Sequence, residues 1–142
     1  MLPTRAEYER FIYTLVDTYP VVENSTLRFF TTSATAGLLK GTICFSNGLE
    51  LRVVEVIDFA AREFLDYSYV VYQSKQKIIW YDPQPHPEDA TLAKTFPHHK
   101  HEPPNIRQNR KIAPGITFCH SNLPGLIAEI AALPAKETSK RV

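Results

Sequence analysis

Apolar residues recur at Tyr8, Phe11, Ile12, Leu15, Val16 and Tyr19, a spacing that lines one side of an α-helix. Thr4 and Glu7 stand three apart, as a capping box requires, and Pro20 closes the segment, so a helix is predicted over residues 4–19. The pattern then changes period. Short apolar runs follow at Leu27–Thr32 and Leu38–Phe45, and a longer alternating run spans Leu49 to Phe59. Asn47-Gly48 between the last two predicts a hairpin, with the positive φ of a type I′ turn at both residues. Leu65–Ser74 and Lys77–Asp82 read as a second hairpin-like pair across Lys75-Gln76.

Prolines at 83, 85, 87, 97, 103 and 104 predict an irregular segment over 83–113. Ile116–Cys119 is a candidate added strand. Leu123, Leu126, Ile127, Ile130 and Leu133 then form a helical stripe over 122–133, with Ser121 or Asn122 as cap and Pro124 in the first turn. The expected architecture is an α+β domain over residues 1–134. Its five- to six-stranded, mainly antiparallel sheet carries an N-terminal and a C-terminal helix. Residues 135–142 read as a flexible basic tail.

One strand residue breaks its pattern. Side chains alternate faces along a strand, and Glu55 falls on the face of Leu49, Leu51, Val53 and Ile57. A carboxylate among apolar groups is costly unless it is paired or placed at an open cleft. Three readings follow: a site residue, a residue turned outward by a bulge near Val53-Val54, or one neutralised by an arginine such as Arg28. In the next strand Tyr67 and Tyr69 share a face and Tyr72 lies opposite. Cross-strand packing explains most tyrosines in such a run. Tyr67 and Tyr69 are also candidates to bond a phosphate or stack on a base.

Composition changes this picture little, but charge placement does. The chain has 142 residues, 44% hydrophobic, and its net charge is +1. No apolar run is long enough to span a bilayer and the N-terminus does not read as a secretory signal, so the expected location is the cytoplasm. Cys44 and Cys119 lack CxxC spacing and read as two buried thiols. Residues 1–93 hold 8 basic and 12 acidic side chains. Residues 94–111, in contrast, hold Lys94, Lys100, Arg107, Arg110 and Lys111 against Glu102 alone. That local field suits a phosphate-rich ligand.

Three of the five histidines fall in the same segment, Thr95-Phe96-Pro97-His98-His99-Lys100-His101, and His86 lies twelve residues before His98. Imidazoles exchange protons near neutral pH, and a lysine among them supplies a cation for a phosphate. A metal-independent ribonuclease needs a base for the 2′-hydroxyl, an acid for the leaving oxygen and a cation on the phosphorane. The catalytic candidates are Glu55, His86, His98, His99, Lys100 and His101. The substrate-binding candidates are Tyr67, Tyr69, Asp82, Arg107, Arg110 and Lys111. In an extended segment His99 and His101 face one way, and His98 and Lys100 the other. His86, His99, His101 and Asp82 are also a rival set of ligands for zinc or manganese, without helical HxxxH spacing to support it. The leading expectation therefore has no cofactor, with a divalent metal at the histidine cluster as the alternative. His120 reads as having no role.

Four stretches together resemble the TumE family of toxin–antitoxin toxins, across about residues 35–105. They are Gly48-Leu49 through Val53-Val54-Glu55-Val56, Tyr67-Ser68-Tyr69-Val70-Val71-Tyr72-Gln73, Tyr81-Asp82 through Pro85-His86-Pro87-Glu88, and the Phe96-Pro97-His98-His99-Lys100-His101 block. The last is the most specific. The chain departs from the family pattern before that block, where Trp80 replaces an arginine, Pro83 replaces an asparagine and one histidine is missing. The resemblance implies a helix-turn-helix antitoxin partner and action on RNA. The expected partners are RNA or a phosphorylated nucleotide and that antitoxin, with no membrane; a homodimer stays open. A non-catalytic RNA- or nucleotide-binding module is the alternative to a nuclease, and so is a metal-dependent nuclease using the same histidines. Glycine-rich phosphate loops and GxSxG elbows are absent.

Overall fold

The long alternating run folds as predicted, but the sheet it belongs to is larger. In the computed structural model, which describes residues 1–134, eight antiparallel strands form one sheet: β1 Val22–Ser25, β2 Arg28–Thr31, β3 Ala36–Phe45, β4 Glu50–Asp58, β5 Glu63–Gln73, β6 Gln76–Asp82, β7 His99–His101 and β8 Arg110–Ile112. The order is β1-β3-β4-β5-β6-β7-β8, and β2 also pairs with β3. Both short strands run along β3, β2 against residues 37–40 and β1 against residues 43–45. The chain crosses from one to the other at Gly41, where an added Cβ would lie 2.6 Å from the Thr26 carbonyl oxygen. The tail at 135–142 lies outside the described residues.

Three corrections concern the segment expected to be irregular. Prolines exclude ladder bonding only where they stand, and 98–102 and 105–113 contain none. β7 uses the first window to pair with β6, and β8 uses the second to pair with β7. Ala90–Thr95 forms a 3-10 helix. Ile116–Cys119, in contrast, joins no strand.

The turns also differ. Asn47 does not take positive φ; only Gly48 does, at 88°, in a three-residue loop closed by Gly48 N–H donating to Phe45 O. The two-residue turn with positive φ at both positions is Ser74-Lys75, at 50° and 67°.

The N-terminal helix is broken in two, α1 Arg5–Tyr13 and α2 Leu15–Thr18. The capping box of Thr4 and Glu7 is present. The break falls at β-branched Thr14, whose hydroxyl donates back to Arg10 O at 2.7 Å. Beyond it the stripe drifts, leaving Leu15 buried and Val16 exposed. The C-terminal helix, α3 Leu123–Ala131, has Pro124 in its first turn and buries Leu123, Leu126, Ile127 and Ile130. Neither cysteine is buried: Cys44 is half-covered and Cys119 exposed.

All three helices cover one face of the sheet, and the core lies between them and Leu39, Ile43, Leu51, Val53, Ile57, Tyr69 and Val71. Glu55 stands within that core at 0% exposure. No arginine neutralises it, and the irregularity in the β4–β5 ladder is an extra residue on β5, Leu65, opposite Val56/Ile57, past the residue a β4 bulge was expected to turn outward. Instead the Tyr8 and Tyr69 hydroxyls donate to its two oxygens at 2.5 and 2.6 Å. Asn122 Nδ2 donates in turn to the Tyr69 oxygen at 3.0 Å. The carboxylate thus joins α1, β4, β5 and the start of α3. Asn122 occupies the N-cap position of α3 but makes no side-chain cap bond.

Burial raises the Glu55 pKa from 4.5 to about 7, against the smaller lowering effect of the two tyrosine donors. The folded state therefore holds a proton that the unfolded chain releases. The stabilisation is complete below pH 4.5 and is lost as pH rises through about 7. At about 1.4 kcal/mol per pH unit, its size is on the order of 3 kcal/mol. Urea unfolding between pH 5 and 8 should show wild type losing stability relative to Glu55→Gln as pH rises. Parallel curves for the two proteins would contradict this.

Candidate functional site

Strand alternation divides the histidine block between two faces. Trp80, Asp82, His99 and His101 lie on the face away from the helices, with Trp80 opposite His101 and Asp82 opposite His99 across β6 and β7. His101 in turn pairs with Arg110 across β7 and β8. The loop carrying His86 covers this group, so His99 is 1% and His101 5% exposed although they stand near the edge of the sheet. The His86 and His99 rings meet edge to face with centroids 5.0 Å apart.

Two imidazole nitrogens and the two oxygens of one carboxylate meet at the centre. His99 Nε2 and His101 Nε2 are 3.2 Å apart. Asp82 Oδ2 lies 3.1 Å from the His101 nitrogen and Oδ1 lies 3.2 Å from the His99 nitrogen. The other His99 nitrogen, Nδ1, lies 3.1 Å from Pro97 O. A carbonyl only accepts, so Nδ1 carries the proton and Nε2 of the neutral ring is bare. Burial lowers the His99 pKa, opposed by the Pro97 carbonyl and by Asp82, so the neutral form prevails near pH 7. Asp82, His99 and His101 are a group able to hold a metal ion.

Beside them opens a cleft of about 380 Å³ lined by Lys77, Trp80, Asp82, Gln84, His86, His101, Ile106, Arg107 and Arg110. Trp80 Nε1, His101 Nδ1 and Arg110 Nε are buried and have no hydrogen-bond partner. They belong to three side chains in one row across β6, β7 and β8. The Trp80 and His101 rings stack with centroids 4.7 Å apart, and Lys77 Nζ lies 4.9 Å from the Trp80 ring. His86 Nδ1 is 3.5 Å from Glu88 Oε2.

The other candidates lie elsewhere. Lys100 points to the helix side, 3.3 Å from Glu102, and Lys111 reaches the same carboxylate at 3.5 Å. His98 receives the Tyr67 hydroxyl at 2.5 Å and packs against Phe118. Its pKa is lowered by burial and by His99, which suits the neutral acceptor; burial raises that of Tyr67. Tyr69 is fully buried with Glu55 beneath the opposite face. Of the candidate site residues, Asp82, His86, His99, His101, Arg107 and Arg110 share one site. Glu55, Tyr69, Lys100 and Lys111 do not reach it, and Tyr67 with His98 stands between the two groups. His120 is exposed.

Sequence reasoning missed Trp80, Lys77 and Ile106. Trp80 had a signal: two residues before Asp82 in a strand, it must share that residue's face. Lys77 and Ile106 had none, because a bulge in the β5–β6 pairing and a loop bring them to the cleft.

An antiparallel sheet with helices on one face and a buried His-Asp cluster on the other makes this a small α+β protein. The family model described as Toxin TumE matches residues 12–133, and the chain belongs to that family. Membership confers a toxin role and implies an antitoxin partner. Neither the curated proteins nor the solved structures yield a match to the chain. No helix among the described residues is long and apolar enough to cross a membrane.

Proposed function

We propose that the chain is a ribonuclease toxin acting at the Asp82–His86–His99–His101 cleft, and that a helix-turn-helix antitoxin neutralises it. The observation that carries this reading is the row of unpartnered buried nitrogens on Trp80, His101 and Arg110, of which the indole and guanidinium N–H only donate. Buried polar groups are nearly always bonded, so three adjacent orphans call for an acceptor from outside the chain. A phosphate supplies several acceptor oxygens, and Arg107, Arg110 and Lys77 supply the matching charge.

His86 stands at the cleft wall within reach of a bound strand and serves as general base for the 2′-hydroxyl. His101 faces the phosphate with Asp82 and His99 fixing its ring, and the leaving 5′-oxygen takes its proton from water entering the open cleft. Exposed Leu65, with Pro83, Pro85 and Phe118, lines an adjoining depression that shares Trp80, Asp82 and Gln84 with the cleft. It offers an apolar surface for a neighbouring base.

Purified protein should cleave a mixed RNA pool, and Lys100→Ala should retain cleavage within about threefold, because its ammonium faces Glu102. Surface changes of this kind usually alter stability by only about 0.5 kcal/mol. RNA bound tightly but recovered intact would replace the nuclease with a binding module. Loss of cleavage in Lys100→Ala would return that residue to the site.

A further inference from the structure

We propose that Asp82, His99 and His101 bind one divalent transition-metal ion of the zinc and manganese class. The inference rests on the same cleft as the proposed cleavage reaction, but its geometry and its test are separate.

Spacing is the first argument. Ligand atoms held about 2.1 Å from a common ion lie about 3.0–3.4 Å from one another at octahedral to tetrahedral angles. The two nitrogens are 3.2 Å apart, and each lies 3.1–3.2 Å from one oxygen of the Asp82 carboxylate, Oδ2 for His101 and Oδ1 for His99; one ligand atom from each residue falls within 4.8 Å of the other two. Two imidazoles and one carboxylate are also donor types that such ions accept, and three protein ligands leave positions open to water or substrate.

Proton accounting is the second. Pro97 O holds the His99 proton at Nδ1, so Nε2 turns a lone pair toward Asp82 Oδ1, itself an acceptor. A proton on His101 Nε2 cannot satisfy the His99 nitrogen and both Asp82 oxygens together. A cation can. It would also let His101 keep its proton at Nδ1, the atom left without a partner on the protein. The Pro97 carbonyl then has the place usual for the group that orients a metal-bound histidine.

Burial is the third. Two imidazole nitrogens and a carboxylate converge where almost no water reaches them, yet Asp82 and His101 also line the open cleft, which provides a path for entry. The His-x-His pattern of β7 places both rings on one face, and strand pairing delivers Asp82 to them from β6.

The test uses the full chain, stripped with chelator, dialysed and titrated calorimetrically with Zn²⁺ and with Mn²⁺ in the absence of RNA. One equivalent of at least one ion should bind. Asp82→Asn and His101→Gln should each weaken binding at least tenfold, and His120→Ala should leave it unchanged, with circular dichroism confirming each fold. Co²⁺ added to wild type should give visible absorption bands of nitrogen and oxygen ligation, so the result does not depend on variants that fold poorly. Absence of binding by both ions, or equal binding by wild type and the Asp82→Asn/His101→Gln double variant, overturns the site. Metal binding without RNA cleavage sinks the nuclease reading alone. Full cleavage in EDTA together with no binding of either ion sinks the metal inference alone.

Discussion

Replacing His101 by alanine is expected to lower RNA cleavage by about 10²–10³-fold, the cost typical of removing one pre-positioned donor from a site that stabilises developing charge. Three contacts make this residue the largest single contributor. Its Nε2 lies against both Asp82 and His99, its buried Nδ1 has no partner on the protein, and its ring stacks on Trp80. The same substitution opens a space beside Trp80, so melting curves must accompany the assay. His101→Gln retains most of the volume and should still lose at least tenfold. In cells, induced wild-type chain should arrest growth and the alanine variant should not. Equal cleavage rates for wild type and both variants would remove the His-Asp cluster from the mechanism.

The second large effect is on stability. Glu55→Ala should destabilise the fold by about 3–5 kcal/mol, from two sources. The Tyr8 and Tyr69 hydroxyls lose their acceptor in a region without water, at about 1–3 kcal/mol for each unsatisfied group. The missing side chain also leaves a cavity in the core. For a chain of this length the midpoint should fall by roughly 10 °C or more. Glu55→Gln keeps an acceptor and should cost about half as much. A glutamine variant that folds normally but fails to cleave RNA would give Glu55 a role in the reaction despite its distance from the cleft surface. Paired urea melts and cleavage assays separate these outcomes.

Much of the architecture was legible because it depends on local periodicity. The alternating run over 49–59, the hairpin partners on either side of it and the stripe from Leu123 to Ile130 all appear where their patterns place them. The capping box was legible because Thr4 and Glu7 satisfy each other within a single turn. What periodicity missed was length-limited. β7 and β8 are three residues each, too short to show an alternation, and exist because the open edge of β6 offers unpaired backbone groups. The predicted type I′ turn failed at Asn47 for a similar reason, since a three-residue loop and a two-residue loop use the same Asn-Gly pair.

The candidate site was legible in its residue types and only partly in its grouping. A strand's period of two was enough to separate His99 and His101 from His98 and Lys100. It was also enough to flag Glu55 as facing the core, but not to distinguish a core latch from a catalytic group. That choice belonged to Tyr8, 47 positions away, whose hydroxyl supplies the missing partner.

By itself, the chain determined where the long strands and the two helical stripes form, which faces they bury and which residues carry ionisable chemistry, because these follow from neighbours a few positions apart. Only the tertiary structure decided that Asp82 and His86 meet His99 and His101 while Glu55 is held in the core. That outcome depends on pairing across β6, β7 and β8 and on a loop folding over them, contacts whose register no local spacing encodes.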